Sequence, residues 1–128
     1  MKKMKGSILC MLKVQYKNDS VQGYCTDIRK ARRKFTDIAE QIIQTINYIN
    51  SAETFTDIVR YPPFHFHMLK GDRLGEYALD IGGRTSGYRL IVIPEDAQGK
   101  RVDNAIVFGV NVVLVKIVFI QEVSKHYE

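Results

Sequence analysis

A long stretch with helical periodicity is the clearest feature of the hydrophobic pattern. Its apolar residues recur every three or four positions and are Ile28, Ala31, Phe35, Ile38, Ala39, Ile42, Ile43, Ile46 and Ile49. This spacing puts them on one face of an amphipathic helix, whose start Thr26 or Asp27 can cap. The pattern therefore predicts one helix from Asp27 to Asn50. A short second helix is predicted after Thr54, which caps it as part of a capping box.

Strand-like patterns lie before and after these helices. Residues 8–16 are rich in apolar side chains with polar residues alternating in, which predicts an opening strand. Asp19 or Ser20 can cap a short helical turn behind it. A period of two then predicts strands over residues 77–81 and 88–92, with one apolar face each.

The last third of the chain contains a polar stretch and then an apolar one. Residues 94–104 predict a loop, and the β-branched run 105–123 predicts one long strand, or two strands joined near residues 109–111. The complete order predicts a single α+β domain over residues 1–128. An N-terminal strand and two helices would pack on one face of a mainly antiparallel sheet of four to five strands, leaving a polar, cationic face opposite.

Composition adds a basic bias to this picture. Hydrophobic residues make up 45% and charged residues 26% of the chain, as in globular proteins, and the net charge is +5. Such a charge suits RNA, DNA or an acidic protein as partner, or merely a solvated surface. Two cysteines, Cys10 and Cys25, lack the spacing of a zinc site or a disulfide framework. Because no apolar run is long enough for a signal peptide or membrane span, we expect a cytoplasmic protein without membrane contact.

Cations are concentrated at two places in the sequence. The first is the polar side of the predicted helix, with Arg29, Lys30, Arg33 and Lys34, which is either a solvated face or a ridge facing RNA. The second is the segment from His67 to Asp80, which combines a histidine with five charged side chains and two glycines. Cations held on a sheet beside a proton-transfer group are what phosphodiester chemistry on RNA requires.

The second segment resembles the RelE/ParE superfamily of bacterial toxins, and in particular its HigB-like members. The resemblance consists of a histidine before Leu-Lys-Gly-Asp-Arg, then Gly, an aromatic residue, Tyr-Arg-Leu-Ile and a histidine at the end of the last strand. These positions are His67, Leu69 to Arg73, Gly75, Tyr77, Tyr88 to Ile91, and His126. The likeness extends from about Ile8 to His126 and implies a RelE-like fold.

The resemblance also implies an activity. HigB-like toxins are ribosome-dependent mRNA endonucleases that use no metal or cofactor, and the ribose 2′-OH attacks the adjacent phosphate. They are held inactive by an antitoxin, commonly a helix-turn-helix protein, and reach operator DNA only through the antitoxin complex. The implied catalytic residues are His67, Arg89 and His126, and the implied phosphate-binding residues are Lys70, Arg73, Arg84 and Lys125. Imidazoles would transfer protons near neutrality, and the arginine would hold the scissile phosphate in its planar fork.

Two departures from the family pattern leave other functions open. Where HigB-like toxins commonly have Asp-Tyr-His, this chain has Ser124-Lys125-His126, and residues 83–87 form an extra segment. A ParE-like gyrase inhibitor without catalysis is one alternative, although such proteins generally lack the histidines. A degenerate member that binds only its antitoxin or RNA is another.

Single residues also have structural alternatives. Arg89 can be the partner of Asp80 or Asp72 and not of a phosphate. His67 can stack on a neighbouring aromatic ring, Phe66 or Tyr77. His65, two positions earlier, is expected to be an ordinary strand residue.

Overall fold

The computed structural model describes residues 12–125, which form an α+β domain with one five-stranded sheet. The helices are α1 (Asp19–Thr26), α2 (Ile28–Lys34), α3 (Ala39–Ser51), α4 (Phe55–Val59) and α5 (Asn104–Val107). The strands are β1 (Lys13–Tyr16), β2 (His67–Met68), β3 (Tyr77–Ile81), β4 (Tyr88–Glu95) and β5 (Ile117–Lys125). The α+β class and a sheet of four to five strands are confirmed, whereas five helices replace the two helices and one helical turn expected. None of them is long and apolar enough to cross a membrane.

The sheet is mixed, with the strand order β1-β5-β4-β3-β2. Only β1 and β5 pair in parallel, and the other three neighbouring pairs are antiparallel. The opening strand of the sequence prediction is present from Lys13 onward, and residues 8–11 of that prediction lie outside the described part. The sheet brings the start and the end of the described chain together, because β1 lies at the edge beside β5.

The hydrophobic core lies between the helices and one face of the sheet. From β3 it takes Tyr77, Leu79 and Ile81, and from β4 it takes Leu90 and Val92, as the alternation in the sequence predicts. Helical residues with the predicted spacing fill the other side, among them Ala31, Ile42, Ile46 and Ile49. The opposite face of the sheet, which we call the open face, carries the intervening residues.

A β-bulge decides which side chains of β5 reach the open face. Ile91 pairs with Glu122 and Val92 pairs with Ile120, so Gln121 is an extra residue without an opposite neighbour. Strict alternation from Ile120 would have turned residue 122 towards the core. The extra residue instead puts Val123 in the core and turns Glu122 to the open face.

The predicted helix over residues 27–50 is interrupted. It divides into α2 and α3, and Phe35 at the break packs edge-on against Tyr24, with ring centroids 5.0 Å apart. A straight helix of that length would extend about 36 Å, more than a small domain can cover. Thr36 and Asp37 have low helix propensity and lie at the break. Arg32 and Glu40 form a 2.7 Å ion pair across it.

The β-branched run at the end of the chain is only partly strand. Asp103 caps α5 by accepting from the backbone N–H of Ile106, and a 3-10 turn follows at Val110–Leu114. Local capping thus overrides the strand propensity of the valines and isoleucines. The predicted loop before it is shorter than expected, because β4 continues to Glu95, which pairs with Arg101 across the turn.

Two of the three helix caps predicted from the sequence are present in the structure. Asp27 caps α2, and Thr54 with Asp57 forms the predicted capping box of α4. The cap of α1 is Asn18, whose side chain accepts from the N–H of Val21 at 2.9 Å, one residue before the two candidates. An asparagine oxygen serves this role as well as an aspartate or serine.

The packing of α1 can be tested through its cysteine. Cys25 is 1% exposed, and burial raises the pKa of its thiol to about 12. In a Cys10→Ser variant we expect labelling by a disulfide reagent at pH 8 to be on the order of 1000-fold slower than in urea, because the thiolate is the reacting species. Comparable rates in the native and the unfolded protein would show that α1 is not packed as described.

Candidate functional site

The open face brings together residues that are far apart in sequence. Arg89 lies in the middle of three strands, opposite Asp80 on β3 and opposite Ser124 on β5. His67 on β2 lies opposite Ala78, two residues from Asp80 on the same face. The sheet register therefore determines which of the predicted site residues meet.

Four of the predicted cations line one depression on this face, which we call the cationic cleft. It has a volume of about 290 Å³ and is lined by Leu69, Lys70, Arg73, Arg89, Ile91, Ser124 and Lys125. The β2–β3 connection supplies two of the cations, and β4 and β5 supply one each. A cleft with several convergent cations attracts anionic ligands such as phosphates.

Carboxylates already hold Arg73. Its Nη2 lies 2.8 Å from Oε1 of Glu76 and 3.4 Å from Oε2 of Glu122. Both pairs raise the pKa of the Arg73 guanidinium, the hydrogen bond to Glu76 most strongly. Glu76 also lies 3.5 Å from Nη2 of Arg101, so the β2–β3 connection is tied to the sheet by ion pairs. A phosphate bound to Arg73 would have to compete with Glu122.

Arg89 is similarly placed beside Asp80, with 3.9 Å between Nε and Oδ1. Of the two alternatives for this arginine as a structural partner, the structure has the one with Asp80. At this distance the two groups attract each other without a hydrogen bond. The guanidinium thus lines the cationic cleft while keeping donors for a further ligand.

The two lysines of the cleft, Lys70 and Lys125, differ from its arginines in lacking an ion-pair partner within the described residues. Within residues 12–125, neither Lys70 nor Lys125 has a carboxylate partner. Nζ of Lys125 lies 5.2 Å from the centroid of the Tyr88 ring, a cation–π contact. Both side chains are exposed, so an anion can reach them without breaking an ion pair.

His67 is placed beside the cationic cleft and does not line it. Its Nδ1 lies 2.8 Å from the backbone oxygen of His65. A carbonyl only accepts, so Nδ1 carries the proton and the neutral ring keeps Nε2 as its basic atom. The ring contacts that of His65, with centroids 5.0 Å apart, and it is Phe66 that stacks on Tyr77.

His65 is not the ordinary strand residue expected. It ends the Pro62–Phe64 turn with φ 44°, a left-handed conformation that is uncommon outside glycine. Its Nδ1 lies 3.8 Å from Oδ2 of Asp80. Asp80 therefore lies between Arg89 on one side and the two histidines on the other.

The remaining predicted residues lie elsewhere. Arg84 is exposed on the β3–β4 connection and does not line the cationic cleft. His126 lies outside the described residues. The basic residues of α2 are exposed in the helical layer, on the other side of the sheet.

Neither a protein-family model nor a curated protein matches this chain. The assignment of a function therefore depends on the residues of the open face and on the resemblance of its motifs.

Sequence reasoning named Asp80 as one of two alternative partners of Arg89 and missed the other acidic residues of the site. Glu76, Asp80 and Glu122 each hold an arginine of the cleft. The alternation of side chains along β3 was sufficient to predict that Glu76 and Asp80 lie on the open face with Ala78. For Glu122 no local signal existed, because its partner Arg73 is 49 residues away and the bulge sets its direction.

Removal of the competing carboxylate should strengthen anion binding. We expect Glu122→Gln to raise the affinity for a single-stranded oligonucleotide roughly two- to fivefold, since an exposed ion pair is worth up to ~1 kcal/mol. Fluorescence anisotropy at low salt would measure it. Glu40→Gln is the matched control, because it removes the same charge from an Arg–Glu pair on the helical side. Equal effects of both variants would mean that net charge alone is responsible.

Proposed function

We propose that this chain is a RelE-like toxin that binds mRNA through the cationic cleft and cleaves it on the ribosome. One observation carries the proposal: Arg89, predicted as catalytic, lines a single cleft together with Lys70, Arg73 and Lys125, three of the four predicted phosphate-binding residues. The α+β class of the fold and the resemblance of the motif around Leu69 to Arg73 also support the proposal. The proposed site of action is the cytoplasm.

In the proposed reaction the ribose 2′-OH attacks the adjacent phosphorus and the bond to the 5′-oxygen of the next nucleotide breaks. Arg89, with donors left over beside Asp80, would hold the scissile phosphate and stabilise its charge in the transition state. Lys70 and Lys125 would bind flanking phosphates. Nε2 of His67 would accept the proton of the 2′-OH, and His126 would return a proton to the leaving oxygen.

The proposed partners follow from the same resemblance. The ribosome would present the mRNA, and a cognate antitoxin, expected to be a helix-turn-helix protein, would block the open face. Operator DNA would be contacted only through the antitoxin complex. A small reading frame next to that of this chain is the corresponding genomic observation.

A second candidate is a member that binds RNA or antitoxin without cleaving. Three observations favour it: Glu76 and Glu122 occupy Arg73, His67 lies outside the cleft lining, and the family's Asp-Tyr pair is Ser124-Lys125 here. Such a protein would keep the affinity for phosphates and lose the proton transfer. The two candidates therefore differ in cleavage and agree in binding.

The lysines test the binding that both candidates share. We expect the double variant Lys70→Ala/Lys125→Ala to weaken binding of single-stranded RNA and to lower the salt slope of log K by about 1.4, or ~0.7 per lost phosphate contact. Binding at several salt concentrations measures the slope. The control is Lys30→Ala/Lys34→Ala, which removes two exposed lysines from α2. If the control lowers the slope equally, the cleft is not the RNA site.

The cleavage step has a separate test. Primer extension on mRNA after induction should show cuts with the wild type, and at least about 100-fold fewer with His67→Ala, because a general base contributes that much. Binding of RNA by this variant should be unchanged. Cuts at the wild-type level in His67→Ala would exclude the assigned base, and a wild type that produces no cuts would favour the second candidate. Arg89→Lys, which keeps the charge and loses the fork, should also reduce the cuts.

A further inference from the structure

A second cavity lies at the edge of β3, away from the cationic cleft. Because β2 pairs only with Tyr77 and Ala78, the end of β3 has no strand neighbour on that side within the described residues. A cavity of about 200 Å³ fills the space between this edge, α3 and the Pro62–Phe64 turn. We call it the edge pocket, and its chemistry comes from Gln41, Gln44, Tyr48, Tyr61, Phe64 and Asp80.

The edge pocket is short of hydrogen-bond donors. Oε1 of Gln41 and Oδ2 of Asp80 are both shielded from solvent, and neither has a donor among residues 12–125. The Asp80 residue is 6% exposed. Its two nearest cations, Arg89 and His65, lie at 3.9 Å and 3.8 Å, too far for a hydrogen bond. Buried carboxylates are normally paired and hydrogen-bonded, so this one is incompletely satisfied.

The amide orientation of Gln41 changes the number of donors in the edge pocket but not its charge. A 180° rotation would offer an N–H donor but no positive charge. The Asp80 carboxylate would still lack a cation at hydrogen-bond distance. In the part of the chain that the structure describes, no lysine or arginine lines the edge pocket.

Aromatic rings form the other side of the pocket. Tyr48 and Tyr61 stack with centroids 4.1 Å apart, and Phe64 meets them edge-on at 5.2 Å and 4.8 Å. Aromatic faces attract cations, and a planar cation can also stack on them. The missing group is therefore a planar cation with several N–H donors.

We propose that the edge pocket binds a guanidinium group, free or at the end of an arginine side chain. Its N–H groups donate to Asp80 and Gln41, and its plane lies against the tyrosines. An ammonium has the charge without the plane, and a urea has the plane without the charge. The inference does not rest on the proposed function, because the edge pocket and the cationic cleft share no lining residue.

Titration of the full chain with L-arginine, followed by NMR of the labelled protein, tests the proposal. We expect shifts at Gln41, Tyr48, Tyr61 and Gly82. L-citrulline, which has the same shape without the charge, should bind at least about tenfold more weakly, and L-lysine should also be weaker. Equal binding of arginine and citrulline, shifts centred on the cationic cleft, or no binding at millimolar arginine would each overturn it.

A blocked arginine separates the two sources of the group. N-acetyl-L-arginine amide mimics an arginine residue within a protein. Affinity equal to that of L-arginine would identify the guanidinium alone as the recognised group, as for a partner protein's side chain. A loss of affinity on blocking would instead identify the free amino acid or a related small molecule.

Substitutions of Asp80 and Gln41 test the two proposed hydrogen-bond acceptors separately. Asp80→Asn removes the charge and should weaken arginine binding at least about tenfold. Gln41→Leu should weaken it severalfold. Gln22→Leu, which changes an exposed glutamine on α1 outside the pocket, is the matched control and should stay within twofold of the wild type. Thermal melting checks folding, and if Asp80→Asn is unfolded, wild-type affinity in Gln41→Leu would refute the proposal.

Discussion

The pairing register of β3, β4 and β5 is the constraint on which the other features of this molecule depend. Successive side chains of a strand point to opposite faces, so one register assigns every residue either to the core or to the open face. Leu79, Leu90 and Val123 are directed inward by the same pairing that directs Asp80, Arg89 and Ser124 outward. Hydrophobic burial on one face thereby fixes the geometry of the polar groups on the other. The register that gives a stable core is therefore also the register that defines the site.

Electrostatics on the open face is a competition within the chain. The net charge of +5 suggests a surface with unpaired cations that can bind an anion. Two arginines of the cationic cleft nevertheless already have carboxylates beside them. Such pairs keep the cations from repelling one another and hold the β2–β3 connection against the sheet. They also reduce what an incoming phosphate gains. The two lysines, which lack partners within residues 12–125, are therefore the first contacts for an anionic ligand.

Periodicity predicted much of this fold because it reports burial. The apolar face of α3 and the core residues of β3 and β4 are where the spacing places them. The break between α2 and α3 was not predicted, since packing against Tyr24 and the size of the core decide it and no single residue marks it. The run from Ala105 to Leu114 has strand-like composition, but a cap at Asp103 decides its conformation.

For the site, the sequence predicted the cations and, of their counter-ions, only Asp80 beside Arg89. Lys70, Arg73, Arg89 and Lys125 come from local motifs, and their meeting in one cleft follows from the expected sheet. Glu122 and the edge pocket depend on long-range pairing and on the short length of β2, which no local pattern reveals. Motifs of this kind identify which chemical groups are present, and the register determines which of them meet.

The bulge at Gln121 has a consequence for how such a site can change. Because it adds one residue to β5, the identity of the side chains on the open face depends on the number of residues as much as on their type. If Gln121 instead paired regularly with Ile91, without the bulge, Glu122 and Val123 would exchange faces although no residue of the cleft had been substituted. Changes that form or remove this bulge at constant chain length are thus a route by which related chains can gain or lose a carboxylate beside the same arginine.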